Sequence, residues 1–319
     1  MRKIAFHSNQ LCIRGTEVAL FDYAHYNETI LGNKSYIISD ANKDLQALKK
    51  FQDRFEVFLY NKFEDCFSFV KEKNITDVYY QKAGHIDNKI VPGVRNLIHA
   101  VFQHKEIHGD AYCYISKWLA EKENMDDSYV PYIVAMPEPT KNYKTKLGIS
   151  EDKIVIGRHG GATEFDLPAT HKAIYDVLKR RDDLVFLFMN TNQFGPSHPN
   201  IIFVEGTYNL QNKSNFIDTC DYMIHARNHG ESFGLAICEF LFHNKPVISW
   251  KAGLDQNHIS LMGDKGLWYT DYDSCVDILN SVNKINSQDK SYKQLVEQFT
   301  PEKVMNMFNQ KFLNNTNIL

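Results

Sequence analysis

Two glutamates eight residues apart carry the clearest chemical signal in this sequence. Glu231 and Glu239 lie within Arg227–Trp250, after an apolar run typical of a strand and within a pattern typical of a helix. Glu239 stands among the apolar residues of 237–241. A carboxylate in such a run is rarely buried without a partner, which favours a binding role over a solvated helix face. A carboxylate accepts hydrogen bonds with two oxygens, which suits vicinal hydroxyl groups.

The residues between the two glutamates predict an anion site. Ser232, Phe233, Gly234 and Leu235 would open the helix, where backbone N–H groups and the helix dipole favour a diphosphate. Gly234 permits close approach of a ligand or a strand. Eight residues return to nearly the same helix face, with a rise of about 12 Å. We therefore expect a nucleotide sugar, with its sugar hydroxyls at the first glutamate and its ribose diol at the second.

The segment resembles the retaining glycosyltransferases of family 4, which have the GT-B fold. The resemblance rests on the Glu-x7-Glu spacing, on Phe233 and Gly234, and on Lys245–Ile248 after the helix. Asp264–Gly266 matches the turn after the family's donor loop, whereas Asn244 stands where the family commonly has glycine. The resemblance implies transfer of a hexose from a UDP- or GDP-sugar to a glycan or other hydroxyl acceptor. It also implies retention of configuration, same-face attack, and no metal or other cofactor.

The same resemblance implies two basic residues for the donor phosphates. Arg158 ends the first strand of the second half and Lys172 opens the next helix, where their charges would stabilise the leaving diphosphate. The alternative for Arg158 is a surface ion pair. The loop Gly160–Thr170 is longer than is usual in the family, so a site role and a surface role for Lys172 are equally open. Arg227 and Gly230 complete the predicted donor-binding set.

The first half contributes a loop and a group of histidines. Gly15 and Thr16 lie between the first strand and the first helix, where the family has a glycine-rich loop near the sugar and diphosphate; a tight βα turn is the equal alternative. Family members often have a histidine after a first-domain strand, near the reacting sugar. The candidates for that position are His104, preferred as catalytic, then His108 as substrate-binding, with His85 as an outsider. His99, in mid-strand, is more typical of a structural histidine.

Short apolar runs alternate with helical patterns along the whole chain, which predicts an α/β protein with parallel sheets. We expect two Rossmann-like doubly wound domains facing across a cleft, with ligands at the carboxyl ends of the strands. The predicted divisions are an acceptor-side domain over 1–135, a linker over 136–150, a nucleotide-sugar-binding domain over 151–300 and a C-terminal helix within 301–319. That helix should cross back to the first domain and bury its apolar stripe. Peripheral membrane contact is the weaker explanation of the stripe.

Bulk properties exclude several classes. The 319 residues carry a net charge of −3, without the basic excess of a nucleic-acid binder. The six cysteines form no Cys-x-x-Cys pair, which argues against zinc and for a reducing compartment. No apolar run has the length of a membrane span or the form of a signal peptide, so we expect a cytoplasmic protein. Asp271 and Asp273 have the spacing of a metal-binding pair, but a helix N-cap suits their position better.

Three alternatives to the transferase remain open at this point. A sugar-nucleotide epimerase would share the fold and the donor site. A catalytically silent protein that binds nucleotide sugars or carbohydrates would bind without turnover. A phosphorylase would need a lysine-bound cofactor and a longer chain. The sequence does not select among UDP-glucose, UDP-galactose, UDP-N-acetylglucosamine and GDP-mannose, nor does it identify the acceptor.

Overall fold

The computed structural model describes residues 1–12, 14–284 and 291–314. The chain divides into two compact units. Unit 1 comprises Met1–Ile133 together with the chain from Gln298 onward, and unit 2 comprises Val134–Glu297. Within the described ranges, no helix is both long enough and apolar enough to cross a membrane.

Unit 1 is built on one parallel sheet with strand order β3-β2-β1-β4-β5-β6. Its strands are β1 (Lys3–Ser8), β2 (Lys34–Asp40), β3 (Glu56–Tyr60), β4 (Asp77–Lys82), β5 (Arg95–Ala100) and β6 (Ala111–Tyr114). Its first four helices are α1 (Gly15–Thr29), α2 (Leu45–Gln52), α3 (Asp65–Lys73) and α4 (Lys117–Lys122). The central strands are continuously buried, because helices cover both faces of a parallel sheet.

The end of the chain completes unit 1. Pro301–Phe308 is a helix that continues into a π-helical segment over Asn309–Leu313. Four residues of its predicted apolar stripe are fully buried and the fifth is half-buried, so the stripe is core. These are Val304, Met305, Phe308 and Phe312, with Met307 half-buried. Residues 315–319 of the predicted C-terminal segment lie outside the described residues.

Unit 2 repeats the same plan with strand order β14-β12-β10-β7-β8-β9. The strands of this sheet are β7 (Ile154–His159), β8 (Leu184–Met189), β9 (Ile201–Val204), β10 (Tyr222–His225), β12 (Val247–Trp250) and β14 (Leu267–Tyr269). A second ladder pairs β11 (Gly230–Glu231) with β13 (Asp255–Gln256). The helices of unit 2 are α5 (Lys144–Leu147), α6 (Pro168–Leu178), α7 (Leu210–Thr219), α8 (Leu235–Phe242), α9 (Asn257–Met262) and α10 (Tyr272–Ser281). The helix Pro301–Phe308 of unit 1 follows these in the chain and is α11.

The segment 136–150, predicted as a linker, instead belongs to unit 2. Ser214 on α7 donates a hydrogen bond to the carbonyl of Pro137 over 2.6 Å, and Asn215 accepts one from the backbone N–H of Thr140 over 2.8 Å. Further on, α5 lies within the segment. Backbone groups of the segment, bound by side chains of α7, thus dock it on unit 2.

Counted in chain order within each unit, both sheets have the strand order 3-2-1-4-5-6. That is the order of a dinucleotide-binding Rossmann sheet, and the direction of winding reverses beside the first strand. The prediction of two Rossmann-like doubly wound α/β domains is therefore confirmed. In unit 2, the reversal lies between β7 and β10, and the polar segments after these two strands are where a ligand is expected.

Candidate functional site

The candidate site lies at the carboxyl ends of β7 and β10 and at the start of α8. Its shape depends on Gly230, which has a φ of +77°, a conformation that favours glycine. A Cβ at this position would lie 2.0 Å from the carbonyl oxygen of Asp255. The β11–β13 ladder thus brings the loop after β12 against the residue before Glu231. The helix predicted to open at Ser232 begins only at Leu235, because 230–231 pair as a strand and Gly234 is the N-cap.

Glu231 is held between two donors on different carboxylate oxygens. Nε2 of His225 lies 3.1 Å from Oε1, and Nη1 of Arg227 lies 3.2 Å from Oε2. Burial raises the pKa of Glu231, but the hydrogen bond from His225 and the charge of Arg227 outweigh burial and lower the pKa to about 2. The carboxylate is therefore ionised at neutral pH, with lone pairs left for hydroxyl donors.

The start of α8 provides the predicted N–H groups. Gly234 is the N-cap in the left-handed region, and none of the described side chains caps this end by a hydrogen bond. The first N–H groups of a helix have no acceptor within the helix. Ser232 and Phe233 are buried, whereas Leu235 is half-buried. The amide of Asn257 donates to the carbonyl of Phe233 over 2.7 Å and so fixes the turn before the helix.

Glu239 lies further along α8 and is 3% exposed, which excludes a solvated helix face. Nζ of Lys213 lies 2.7 Å from Oε1, and Nε2 of His159 lies 3.0 Å from Oε2. Burial raises the pKa of Glu239, but the charges of Lys213 and His159 outweigh burial and lower it to about 2. Contact of Glu239 with a ribose diol stays a prediction, and any such ligand would share the carboxylate with Lys213 and His159.

Arg158 is buried rather than part of a surface ion pair. It is 5% exposed, and its Nη1 and Nη2 donate to Oγ1 of Thr191 over 2.5 Å and to the carbonyl of Gly161 over 2.8 Å. Burial lowers the pKa of Arg158 to about 10, so the guanidinium stays charged at neutral pH. The nearby charges of Glu164 and Glu231 favour that charged form.

Lys172 lies on α6 but is not brought to the glutamates by the contacts described. Its side chain is 65% exposed, its Nζ lies 3.0 Å from Oδ2 of Asp176, and it lies 3.7 Å from the centre of the Tyr272 ring. Both partners belong to the contact between α6 and α10. Arg227 is the cation that contacts Glu231, and it also lies 3.3 Å from Oε1 of Glu164. A catalytic role for Lys172 remains untested, and this placement weighs against it.

In unit 1, the loop predicted at Gly15 and Thr16 leads to Glu17, a buried residue that the sequence analysis missed. Gly15 is the first residue of α1, and Thr16 donates from its hydroxyl to Oε2 of Glu17 over 2.8 Å. Ser8 also donates to Glu17, over 3.2 Å, and burial raises the pKa of this carboxyl group. The acidic residue of Arg-Gly-Thr-Glu was the available signal, because it follows the end of a strand.

The histidines of unit 1 fall into two groups. His99 is fully buried, with Nδ1 accepting from the hydroxyl of Tyr79 over 2.5 Å and Nε2 donating to the carbonyl of Val130 over 2.8 Å. It is a structural histidine, as its mid-strand position predicts. His104 is half-buried, and its ring packs edge-on to that of His85 at 5.4 Å. Nδ1 of His108 lies 2.6 Å from the carbonyl of Glu106.

The site residues missed by the sequence analysis are mostly partners of the two glutamates. His225 ends β10, His159 ends β7, and Lys213 lies on α7. The signal for the two histidines was a polar residue at the end of an apolar strand.

The predicted N-cap at Asp271 is confirmed, because its side chain accepts from the N–H of Ser274 within a reciprocal capping box. Within the described ranges, no group of three or more metal-ligating residues is placed to hold an ion.

Comparison with known proteins shows the fold. The chain matches Anabaena HepE, solved with UDP and glucose, at 14% identity and a TM-score of 0.73 over 100% of both chains. It matches a glycosyltransferase from Rickettsia africae at 13% identity and 0.67 over 99% of both chains. It also matches a protein from Listeria monocytogenes described as a putative UDP-N-acetylglucosamine 2-epimerase, at 12% identity and 0.63, over 99% of this chain and 98% of that one. No protein-family model and no curated sequence matches the chain. The fold is that of GT-B glycosyltransferases.

Proposed function

We propose that the chain is a glycosyltransferase that moves a hexose from a UDP- or GDP-sugar to a hydroxyl acceptor. The observation that carries the proposal is the ionised Glu231 beside the uncapped start of α8, with Arg158 and Arg227 nearby. This combination offers acceptors for sugar hydroxyls and positive charge for a diphosphate. Its place at the reversal point of a Rossmann sheet supports the same conclusion. HepE, of the same fold, was solved with UDP-glucose.

In the proposed mechanism, the diphosphate lies on the N-terminus of α8 and Arg158 stabilises the charge that develops as the glycosidic bond breaks. Glu231 accepts hydrogen bonds from the sugar, and Glu239 from the ribose. The acceptor hydroxyl attacks the anomeric carbon on the face that the phosphate leaves, and the phosphate oxygen takes its proton, so configuration is retained. The guanidinium groups and the helix supply the positive charge, so we propose that no metal is required. For unit 1 we propose the acceptor side, with His104 as the first residue to substitute.

The first experiment is a panel of nucleotide diphosphates and nucleotide sugars followed by thermal unfolding and by release of UDP or GDP, with EDTA present. A ligand of the native state raises the unfolding midpoint by mass action. We expect one nucleotide series to stabilise the protein and its sugar to be transferred when acceptors are added. If no nucleotide shifts the midpoint at millimolar concentration, the proposed function fails. If a nucleotide sugar stabilises the protein but is never consumed, the silent binding protein is the correct alternative.

Arg158 and Lys172 give a matched test of which cation serves the diphosphate. Arg158→Lys keeps a charge but loses the planar fork that donates to two acceptors, so we expect UDP affinity to fall about 10- to 100-fold. Lys172→Ala should change affinity by less than about threefold, because its charge is exposed and paired on the surface. Both dissociation constants are measured by calorimetry. Equal losses in the two variants would contradict the assignment of Arg158.

A sugar-nucleotide epimerase is the second candidate, favoured by the match to the Listeria protein. An epimerase would convert one nucleotide sugar to its epimer with no acceptor present. Chromatography of a nucleotide sugar incubated with the protein alone separates the two functions. An accumulated epimer would replace the transferase proposal, whereas an acceptor-dependent loss of the donor would support it.

A further inference from the structure

A buried hydrogen-bonded chain leads from the interior of unit 2 to Glu231. Nε2 of His225 lies 3.1 Å from Oε1 of Glu231, and Nδ1 lies 2.8 Å from Oγ of Ser249. The histidine is 5% exposed and the serine is fully buried. Resting on the proposed function, we propose that His225 is a positioning residue that orients the Glu231 carboxylate toward the donor sugar, and that Ser249 holds its ring with the proton on Nε2.

The backbone explains why these groups meet. His225 on β10 and Ser249 on β12 are directly paired in the parallel ladder, so their side chains lie next to each other on one face of the sheet. His225 is the last residue of its strand, and Glu231 follows after the short loop that leads into β11. The histidine thus joins the rigid sheet to the carboxylate on the less regular segment. A carboxylate on such a segment needs a fixed partner to keep one orientation.

The direction of each hydrogen bond follows from the atoms. An ionised carboxylate can only accept, so Nε2 of His225 carries a hydrogen. The hydroxyl of Ser249 can donate to Nδ1 at 2.8 Å or to the carbonyl of Trp250 at 3.4 Å, and the shorter contact favours Nδ1. A neutral ring then has both nitrogens satisfied. The hydrogen bond at one nitrogen sets the proton position at the other.

A second histidine fixes the plane of the first. The His258 ring lies 5.1 Å from that of His225, and its Nε2 donates to the carbonyl of Trp250 over 3.1 Å. Burial lowers the pKa of His258 to about 4, so His258 is neutral at pH 7. It therefore packs against His225 without adding a repelling charge.

Two donors on separate oxygens define the carboxylate plane. His225 contacts Oε1 and Arg227 contacts Oε2, which leaves a lone pair on each oxygen for the sugar. Removal of the His225 donor would allow the carboxylate to turn about its last side-chain bond. Misplacement of a reacting group by about 1 Å costs about 10²-fold in rate.

Two substitutions of His225 separate positioning from a merely structural role. The amide nitrogen of glutamine can replace Nε2 and donate to Glu231, whereas that of asparagine reaches only as far as Nδ1. Both remove the ring and should lower the unfolding midpoint to a similar extent. We expect His225→Asn to lower kcat for donor turnover about 100-fold, and His225→Gln to restore at least about tenfold of that loss. Equal kcat values in the two variants would overturn the proposal.

Nuclear magnetic resonance tests the hydrogen-bonded chain without any turnover. In ¹⁵N-histidine-labelled protein, the His225 signals, assigned by their loss in His225→Gln, should show the proton on Nε2. Ser249→Ala should keep the fold and the hydrogen on Nε2, because Glu231 still accepts from it, and should change the signal of Nδ1, which loses its hydrogen bond. A wild-type proton on Nδ1 would overturn the proposal even if donor turnover is found. If no nucleotide sugar is turned over, the proposed function fails. The hydrogen bonds from Ser249 through His225 to Glu231 are then tested by these spectra alone.

Discussion

Glu231→Gln is expected to lower donor turnover by about 10²- to 10³-fold, the usual effect of removing one preorganised electrostatic contact to a transition state. Glutamine has nearly the same shape, but it replaces one acceptor oxygen by a donor group and removes the negative charge. The carboxylate is ionised at neutral pH because His225 and Arg227 lower its pKa to about 2. Protonation of Glu231 therefore cannot explain any loss of activity of the wild type above about pH 4.

Glu164→Gln is the matched control for this substitution. Glu164 also contacts Arg227, at 3.3 Å, but it is 41% exposed and has no contact with Glu231 among those described. We expect turnover within about threefold of the wild type in this variant. Initial rates at saturating and at limiting donor give kcat and kcat/KM for both variants. Similar losses of turnover in Glu231→Gln and Glu164→Gln would show that only the net charge around Arg227 matters. The role proposed for Glu231 would then be wrong.

The second large effect is expected on stability. Lys213→Met leaves Glu239 buried with a single partner, and the loss of one member of a buried pair costs about 3–5 kcal/mol of the free energy of unfolding. The folded-state pKa of Glu239 is about 2, below its ordinary value of 4.5. The stability that the ion pair contributes is thus fully present above about pH 4.5 and is lost as the pH falls toward 2. The difference in free energy of unfolding between the wild type and Lys213→Met should therefore become smaller as the pH falls from about 4.5 toward 2.

Urea unfolding of the two proteins at pH 7 and at low pH measures this difference. Lys179→Met is the control, since Lys179 pairs with Asp176 on the surface with its side chain 71% exposed, and its removal should leave the free energy of unfolding nearly unchanged. The double variant with Glu239→Leu should recover much of the loss, because an apolar pair replaces an unpaired charge. If Lys213→Met is as stable as the wild type, the ion pair between Lys213 and Glu239 contributes nothing to the free energy of unfolding.

The sequence alone was sufficient for the architecture and for one element of the site. Alternation of apolar runs and helical patterns predicts the two doubly wound sheets, since the central strands of parallel sheets are buried on both faces. Glu231, Gly234 and Glu239 are close in sequence, and their local spacing made them visible. The apolar stripe of α11 likewise showed that it must be buried.

The partners of the glutamates could not be predicted in the same way. Lys213 and His159 reach Glu239 from α7 and β7, so only the assembled sheet brings them together. The late start of α8 has a similar cause. The residues 230–231 pair with 255–256, a contact supplied by the loop after β12. The linker was misplaced because backbone groups at Pro137 and Thr140 are bound by side chains of α7, which the composition of 136–150 does not show.

The return of the last helix to unit 1 has a consequence for the order of events during synthesis. Phe308 and Phe312 of the C-terminal segment pack on Tyr79 of β4, and Arg2 and Arg95 donate to the carbonyls of Leu313 and Phe312. All six strands of the first sheet leave the ribosome before these residues, with the whole of 134–297 translated in between. The sheet surface around Tyr79 therefore lacks this part of its cover until α11 emerges, and its aromatic rings stay available to chaperones until then. Unit 2 is contiguous in the chain and has no such delay.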